Sequence, residues 1–342
     1  MARPIPDLQE LEARLSEPTE AVVEMMQGLA GDLILLGVGG KIGPSIARMA
    51  KRASDLVGRP RRIIGVSRFS KPGEAARLQS HGIEVIPCDL LKEKEIAQLP
   101  QVENVLYLAG FKFGSNGNMA ATWVANAYLP GVVCNRFRSS RIVAYSTGNV
   151  YGLTPVESDG SKESDAPNPL GEYAMSCLGR ERVFEHFCQA NQSPTAIVRL
   201  FYACDLRYGV LVDLAQKILA GEPVDLSMGH FNVIWQGDSN ALTLMAFAHA
   251  GIPARVINLT GLETLSTKTV ALALGERLGR PPVFVGEPAP TACLGNMDLA
   301  QTCLGRPQVN AEELLDWVAD WIRRGGLTLG KPTRFEVRDG RY

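Results

Sequence analysis

The chain has 342 residues, of which 46% are hydrophobic and 21% charged, enough apolar material to bury a large core without disulfides or a structural metal. A formal net charge of -1 with no run of like charges excludes the electrostatic footprint of a protein that binds nucleic acid or an anionic membrane. The seven cysteines are scattered and lack C-x-x-C pairs, so we expect reduced thiols and no metal site. Without a signal peptide or a membrane-spanning apolar segment, the sequence predicts a cytoplasmic protein.

Residues 1–30 precede the first strand and predict two short helices that pack on the outside, with Ser16 or Thr19 capping the second. From residue 33 onward, apolar runs of strand length alternate with amphipathic helical patterns. The predicted strands lie near 33–37, 62–67, 83–87, 104–109, 141–146 and 195–200, and the helices near 43–57, 119–137 and 171–191. This alternation predicts an α/β fold of the Rossmann type, a doubly wound parallel sheet covered by helices.

After residue 203 the pattern becomes shorter and more mixed. Helices are predicted near 209–220, 239–249, 266–279 and 310–324, and short strands near 232–235, 255–259 and 282–286. The predicted organisation is an N-terminal helical extension (1–30), a dinucleotide-binding domain (31–202), a smaller mixed α/β substrate lobe (203–328) and a charged tail (329–342). Segments of the chain could also cross from one lobe to the other, a possibility that the pattern does not decide. The pattern assigns the tail no role.

A glycine-rich turn joins the first strand to the helix that follows it, with the sequence Gly37-Val38-Gly39-Gly40-Lys41-Ile42-Gly43. Glycine allows the backbone angles of a tight turn, and a bare backbone lets a pyrophosphate approach the helix N-terminus. A Walker loop is excluded because Lys41 is followed by Ile42 rather than by Ser or Thr. The turn therefore predicts a dinucleotide site, and an ordinary glycine-rich turn is the alternative.

The end of the second strand should meet the adenosine ribose, and there the chain carries Ser67 and Arg68 with no acidic residue. A carboxylate would accept hydrogen bonds from the ribose of NAD, whereas a hydroxyl and a guanidinium offer donors to the 2′-phosphate of NADP. NADP is the preferred cofactor on this argument and NAD the alternative. The competing interpretation is that Arg68 only solvates the strand end.

Further segments recur in a fixed order along the chain. They are Cys88-Asp89-Leu90, Tyr107-Leu108-Ala109-Gly110-Phe111-Lys112, Asn126, Tyr145-Ser146-Thr147-Gly148-Asn149-Val150-Tyr151-Gly152 and Gly171-Glu172-Tyr173-Ala174-Met175-Ser176-Cys177. Together they resemble the extended short-chain dehydrogenase/reductase superfamily, and within it the NAD(P)-dependent epimerase/dehydratase family, over roughly residues 32–325.

This resemblance implies a cofactor site beyond the glycine turn. Asp89 would hydrogen-bond the adenine edge with Leu90 beside it, and Ala109 and Gly110 would line the floor of the site. Lys112 would lie near the ribose and phosphates.

The resemblance also implies the catalytic residues. Thr147 would hydrogen-bond the reacting oxygen, Tyr173 would act as general acid/base during hydride transfer, and Asn126 would belong to the proton relay.

One departure from the family pattern concerns the proton relay. The family carries lysine four residues after the tyrosine, where this chain has Cys177, and a neutral thiol cannot supply the cation that favours the tyrosinate. Arg180 or Lys112 is a candidate substitute, although an arginine at that spacing is more often solvated or ion-paired.

A second departure concerns the substrate. Nucleotide-sugar members usually carry an asparagine and an arginine near the diphosphate, where this chain has Tyr202 and Phe231. Losing both polar groups favours a smaller substrate. Candidate substrate contacts are Thr147, Asn149, Tyr202, Arg207 and His230, with Arg199 either a contact or a brace for its strand.

The leading hypothesis is an NAD(P)-dependent oxidoreductase that acts on an alcohol or carbonyl of a small sugar, sugar acid or polyol. One alternative is a cofactor-binding protein with little catalysis, such as a redox sensor or regulatory partner. Another is a nucleotide-sugar epimerase or dehydratase. The apolar-faced helices near 119–137 and 171–191 resemble those that pair in family dimers, so we expect a homodimer whose ligands are small molecules.

Overall fold

The structure is a computed structural model that describes residues 4–59, 61–112 and 117–341, so residues 1–3 of the predicted extension and 342 of the predicted tail lie outside the described residues. The strands are β1 (Leu33–Leu36), β2 (Ile63–Ser67), β3 (Glu84–Pro87), β4 (Asn104–Tyr107), β5 (Arg141–Thr147), β6 (Thr154–Pro155), β7 (Thr195–Leu200), β8 (Tyr202–Cys204), β9 (Pro223–Asp225), β10 (His230–Phe231), β11 (Val233–Trp235), β12 (Arg255–Leu259), β13 (Leu265–Ser266), β14 (Val283–Val285) and β15 (Thr291–Ala292).

The helices are α1 (Leu8–Leu15), α2 (Glu20–Gly28), α3 (Gly43–Val57), α4 (Glu74–Gln79), α5 (Glu93–Ile96), α6 (Met119–Trp123), α7 (Leu129–Arg136), α8 (Gly171–Asn191), α9 (Val210–Ala220), α10 (Gln236–Met245), α11 (Thr267–Leu278), α12 (Asp298–Cys303) and α13 (Ala311–Arg323). A π-helical turn (Val124–Tyr128) joins α6 to α7, and short 3-10 turns follow β5 and α10. Over the described residues, no helix is long and apolar enough to cross a membrane.

Seven parallel strands form the central sheet of the described residues, in the order β12-β7-β5-β4-β1-β2-β3. The chain winds outward from β1 in both directions, which is the doubly wound arrangement. β1 reads Leu-Ile-Leu-Leu and is buried throughout, as expected at the centre of a sheet covered on both faces. The predicted α/β fold and its first six strands are confirmed.

Alternate side chains of β1 serve the two faces of the sheet. On one face, Leu33 and Leu35 pack with Met26 of α2 and Ile46 of α3. On the other, Ile34 and Leu36 share a core with apolar side chains of α7 and α8. The helices therefore cover both faces, and the loops after the strands are left at one edge to form a site.

The smaller lobe surrounds a separate apolar core. Helices α9, α11 and α13 contribute Leu214, Leu274 and Trp321 to that core. Short strand pairs border it, namely β8 with β11 and β9 with β14 in parallel, and β6 with β15 and β10 with β13 in antiparallel. The lobe is thus a mixed α/β unit beside the sheet.

The boundary between the two lobes differs from the predicted one. The sequence pattern assigns the strand near 255–259 to the smaller lobe, but β12 pairs with β7 at the edge of the central sheet. The helix before it, α10, packs on α3. Residues 236–259 therefore pack with the dinucleotide-binding domain, because β12 extends the central sheet as its edge strand beside β7.

The N-terminal extension is also more central than expected. Leu11 and Leu15 of α1 are fully buried in the core of the smaller lobe, whereas Val22 and Met26 of α2 are fully buried in the core of the dinucleotide domain. The expectation that this segment packs on the outside is wrong. Its apolar side chains fill both cores and connect them.

The C-terminal tail packs across the smaller lobe. Thr333 donates two hydrogen bonds, at 2.7 Å from its amide and 2.5 Å from its hydroxyl, to the carboxylate of Asp213 on α9. Two residues later, the buried Phe335 ring meets the Phe231 ring edge-on, with 5.8 Å between centroids. The tail is therefore part of the core.

Beyond Phe335 the tail continues to the start of α8. Arg338 donates to the carbonyl of Thr291 at 2.6 Å. Gly340 then lies against the backbone of Leu170 and Gly171, so closely that a β-carbon on either glycine would overlap the other segment. Both glycines have positive φ, at 77° for Gly340 and 76° for Gly171. The tail thus reaches the helix that carries Tyr173.

We predict that Phe335→Ala lowers the free energy of unfolding by about 3 kcal/mol, because it removes a buried ring and leaves a cavity beside Phe231. Urea denaturation followed by circular dichroism measures the change. Leu329→Ala is the matched control, since Leu329 is 40% exposed in the same tail and its loss should change stability by less than about 0.5 kcal/mol. Equal effects of the two changes would contradict the packing role of the tail.

Candidate active site

The glycine-rich turn after β1 is shaped by close backbone contacts. Gly37 has φ of 92°, and a β-carbon there would lie 2.8 Å from the amide nitrogen of Ala109 after β4. A β-carbon on Gly43 would overlap the carbonyl of Val38. At Gly40 the nearest atom to such a carbon is 3.5 Å away, an ordinary contact. Gly37 and Gly43 therefore allow the turn to pack, and Gly40 leaves backbone open to a ligand.

The turn leads directly into the N-terminus of α3. Ile42 occupies the capping position and makes no side-chain capping bond, and Pro44 stands in the first turn. The remaining N–H groups of that turn have no side-chain acceptor, and the helix dipole adds partial positive charge. This arrangement fits the pyrophosphate of a dinucleotide.

Glu74, which the sequence interpretation missed, lies near the glycine turn together with Ser67 and Arg68. The Ser67 hydroxyl packs against Gly39, at 2.6 Å from the position of a β-carbon there. Arg68 is exposed, and its side chain has no ion pair or hydrogen bond among the described residues. A carboxylate oxygen of Glu74 lies 3.9 Å from the same Gly39 position, and Glu74 pairs with Lys71 at 3.8 Å. A cation at the end of β2 and a carboxylate on α4 therefore lie near the glycine turn.

Asp89 lies after β3 at the same edge of the sheet. Its carboxylate accepts a hydrogen bond from the amide of Leu91 at 3.2 Å, and its own amide donates to Glu95 at 2.7 Å. Leu90 is buried in the core below. Asp89 is therefore held by local hydrogen bonds in the turn after β3, with its side chain partly exposed.

Two lysines approach the cleft from different loops. The Lys41 ammonium lies over the Tyr208 ring of the smaller lobe, 2.9 Å from its centroid, although part of the side chain stays exposed. The Lys112 ammonium lies 5.6 Å from the centroid of the Tyr173 ring. Burial lowers the pKa of Lys112 to about 8, and burial together with the charge of Lys112 lowers the pKa of Lys41 to about 7. A nearby anion would raise both pKa values again.

Asn126 lies in the π-helical turn that interrupts the predicted helix over 119–137. Its side chain accepts from the amide of Phe111 at 2.8 Å and donates to the Phe111 carbonyl at 2.9 Å. It also donates to Ser176 at 3.0 Å and accepts from Arg180 at 2.6 Å. Asn126 therefore fixes the loop that carries Lys112 to the helix that carries Tyr173.

Thr147, Tyr173 and Cys177 meet at the end of β5. The Thr147 hydroxyl and the Cys177 thiol are polar neighbours of the Tyr173 hydroxyl. Burial, followed by the neighbouring thiol, raises the pKa of Tyr173 well above its usual value. Burial likewise raises the pKa of Cys177, which is fully buried against Val150 and Tyr151. Tyr173 is thus a protonated phenol at neutral pH, beside a neutral thiol.

Arg199 is a structural residue in this structure. It forms a buried ion pair with Glu181 of α8, at 2.6 Å from its Nη2, and its guanidinium lies over the Tyr151 ring at 4.6 Å. The Ser146 hydroxyl donates to the same carboxylate at 2.5 Å. Arg199 was considered either as a substrate contact or as a residue that stabilises its strand, and its contacts in the structure are those of the second role.

The candidate substrate residues divide into two groups. Asn149 donates its amide to the Thr147 hydroxyl at 3.3 Å. Cys293 lies 4.0 Å from the Asn149 side chain, and Tyr202 is a polar neighbour of its thiol. Asn149 and Tyr202 are therefore at the site, together with Cys293, which the sequence interpretation missed because it lies in a distant loop.

The other two candidates have different surroundings. Arg207 pairs with Asp205 at 2.8 Å and with Glu12 of α1 at 3.3 Å, so its charge is directed to the N-terminal extension. His230 is half-buried on β10, and its Nδ1 has no hydrogen-bond partner within the described residues. Neither is seen in contact with Thr147 or Tyr173. No cluster of three metal-binding side chains lies within residues 4–59, 61–112 and 117–341.

Solved structures of enzymes with this architecture resemble the chain at low sequence identity. The UDP-glucuronic acid 4-epimerase from Bacillus cereus in complex with NAD is 19% identical with a TM-score of 0.70, over 86% of this chain and 96% of that one. The UDP-glucose 4-epimerase of Thermotoga maritima with UDP-glucose is 19% identical with a TM-score of 0.69, over 86% of this chain and 99% of that one. The NAD complex of UDP-glucose 4-epimerase from Thermus thermophilus is 18% identical with a TM-score of 0.70, over 86% of this chain and 100% of that one. These likenesses establish the fold.

A search of curated proteins found no match. The model of the NAD dependent epimerase/dehydratase family matches residues 33–229, which is more than half of the chain and spans the glycine turn, Asn126, Thr147 and Tyr173. The chain therefore belongs to the NAD-dependent epimerase/dehydratase family.

Proposed function

We propose that the chain is an NAD(P)-dependent oxidoreductase that acts on an alcohol or carbonyl of a small sugar, sugar acid or polyol. The observation that carries the proposal is the group formed by Thr147 at the end of β5 with its polar neighbours Tyr173 and Cys177 on α8. The open backbone at Gly40 and the uncapped start of α3 fit a dinucleotide in the adjacent turn. When bound, the nicotinamide would supply or accept the hydride.

The residues of this chain would handle the proton and hold the reacting oxygen. Thr147 would hydrogen-bond that oxygen, and Tyr173 would donate its phenolic proton to it as hydride arrives at carbon. A phenol that is already protonated needs no prior ionisation to act as an acid. This supports carbonyl reduction as the favoured direction, with Asn149 and Tyr202 positioning the substrate's other polar groups.

A nucleotide-sugar epimerase is the second candidate, favoured by the solved structures of similar fold. Phe231 stands against it. In place of an arginine, this position holds a fully buried ring packed on Phe335, which offers no charge to a diphosphate. A cofactor-binding protein with little catalysis is the third candidate, which Cys177 favours because a thiol replaces the usual lysine.

We predict that Tyr173→Phe and Thr147→Ala each reduce turnover by at least ~100-fold, because each removes a group that bonds the reacting oxygen. Turnover is measured as nicotinamide absorbance over a panel of aldoses, uronic acids and polyols, and by chromatographic separation of the epimers for UDP-sugars, because epimerisation produces no net change in the nicotinamide. Tyr128→Phe is the matched control, since Tyr128 is 57% exposed on the helix surface. Full activity in Tyr173→Phe would refute the mechanism, and turnover of UDP-sugars alone would favour the epimerase. No turnover in the native chain, with activity created by Cys177→Lys, would favour the non-catalytic protein.

The cofactor preference depends on Arg68 and Glu74, and we propose that NADP is preferred. Arg68 would contact the 2′-phosphate, whereas Glu74 would accept from a ribose hydroxyl and repel that phosphate. Glu74 is partly neutralised by Lys71 and Arg68 has no such partner in the described chain, which leaves the guanidinium as the stronger influence. Relatives solved with NAD show that the fold also accepts the form without the phosphate.

Calorimetric titration should show tighter binding of NADPH than of NADH. We predict that Arg68→Ala weakens the binding of NADPH by about tenfold or more, which is the effect of losing one charge-assisted hydrogen bond. The affinity for NADH should change little. Glu74→Gln should make the binding of NADPH tighter than in the native chain. Tighter binding of NADH by the native chain would overturn the preference and assign the ribose contact to Glu74.

We also propose a homodimer that forms through the helices α6 and α8 and the π-helical turn. This face exposes the large apolar side chains of Met119, Trp123, Tyr128 and Met175, with 40% of Trp123 accessible to solvent. A contiguous apolar surface of this kind marks an interface in a folded protein.

Trp123→Glu should shift the native dimer toward monomer, because a buried charge would oppose association across this face. Sedimentation velocity at several concentrations gives the mass. Leu56→Glu on α3, where Leu56 is 68% exposed, is the control and should leave the mass unchanged. A native chain that sediments as a monomer at all concentrations would contradict the dimer.

A further inference from the structure

Arg180 is a buried cation that forms no ion pair with any described carboxylate. Only 6% of the residue is exposed. Its guanidinium donates to the carbonyl of Tyr145 at 2.9 Å, to the amide oxygen of Asn126 at 2.6 Å and to the Asn126 carbonyl at 3.4 Å. The adjacent carboxylate, Glu181, is bound to Arg199 instead. Burying a charge among neutral acceptors costs free energy, so a buried arginine without a carboxylate partner is a candidate for a functional role.

The position of this charge suggests its function. Arg180 follows Tyr173 by seven residues and Cys177 by three, so all three lie along one side of α8. The guanidinium also lies against Gly110, at 2.5 Å from the position of a β-carbon there, and its carbon is 5.8 Å from the centroid of the Tyr107 ring. It is thus enclosed between α8, which also carries Tyr173, and the ends of β4 and β5.

Few groups face the phenol, and most cannot favour its ionisation. Cys177 on α8 opposes a second negative charge nearby, and Thr147 is an uncharged neighbour. The charge of Arg180 lowers the pKa of Tyr173, in opposition to burial, and does the same for Cys177. Lys112 is close to the ring, but burial lowers its pKa to about 8, so its charge in the alkaline range where a tyrosinate would form depends on the anions beside it. An arginine keeps its charge throughout that range.

We propose that Arg180 is a positioning residue that supplies, from the interior side of α8, the fixed positive charge that the family lysine supplies at the position of Cys177. It acts through Tyr173, whose ionised form it favours when the reaction runs toward oxidation. The inference rests on the proposed function, because the charge matters to catalysis only if Tyr173 transfers a proton. The remaining charged and titratable groups facing Arg180 are Tyr107 on β4 and Glu181 on α8.

The test follows the ionisation of residue 173 itself. Fluorotyrosine is placed at position 173 of the full chain, and its fluorine NMR shift is titrated against pH without substrate or cofactor. Arg180→Gln removes the charge and keeps an amide donor for Asn126 or Tyr145. We expect it to raise the midpoint by about one unit or more, the usual effect of losing a nearby opposite charge. Arg180→Lys should return the midpoint close to the native value.

Lys112→Met is the matched control, since it removes the other nearby cation, and it should move the midpoint less than Arg180→Gln does. An unchanged midpoint in Arg180→Gln, or a larger shift in Lys112→Met, would overturn the proposal. If Arg180→Gln fails to fold, Arg180→citrulline removes the charge while keeping the planar side chain, and the same outcomes apply. The titration needs no turnover, so absence of activity would refute the proposed function and leave the inference about Arg180 separately testable.

Discussion

The side chain of Asn126 connects the parts of the candidate active site. Its amide bonds both backbone groups of Phe111, the hydroxyl of Ser176 and the guanidinium of Arg180, which places it between the β4 loop and α8. An amide has two donors and two acceptor lone pairs, and here each kind is used twice. Such a fully satisfied buried group can adopt one arrangement only. Asn126 is the buried residue of the π-helical turn, a type of turn that often occurs at functional sites.

The electrostatics of the site follow from that anchor. Asn126 and the Tyr145 carbonyl hold the guanidinium of Arg180 by neutral acceptors, so its charge is not cancelled locally. The neighbouring carboxylate of Glu181 accepts hydrogen bonds from Arg199 on β7 and Ser146 on β5 instead. Two buried arginines thus have opposite roles. One braces the sheet within a closed ion pair, and the other leaves its charge directed at the phenol of Tyr173.

Much of this could be predicted from the sequence, because parallel strands buried on both faces leave continuous apolar runs and because the site residues follow those strands at fixed positions. The failures share a physical cause. Leu11 and Leu15 show an apolar helix face but do not identify the surface on which it packs. The sequence of β12 likewise predicts a strand but not the strand with which it pairs. Glu74 was missed because it lies beyond a loop that folds back on the glycine turn. The spacing from Tyr173 identified Arg180 as a candidate cation near the phenol. Its lack of a carboxylate partner among the described residues could be seen only in the structure.

The contact between Gly340 and Gly171 also bears on how the protein is made. The start of α8, two residues before Tyr173, is completed by a backbone segment that leaves the ribosome long after the helix itself. Helix and strand contacts earlier in the chain can form during synthesis, but the contact of Gly340 with the start of α8 forms only after the tail segment has been made. A nascent chain that stops short of Gly340 therefore carries Tyr173 and Cys177 on a helix whose start lacks this backbone contact. Completion of the candidate site in this way waits for a segment made 169 residues after Gly171.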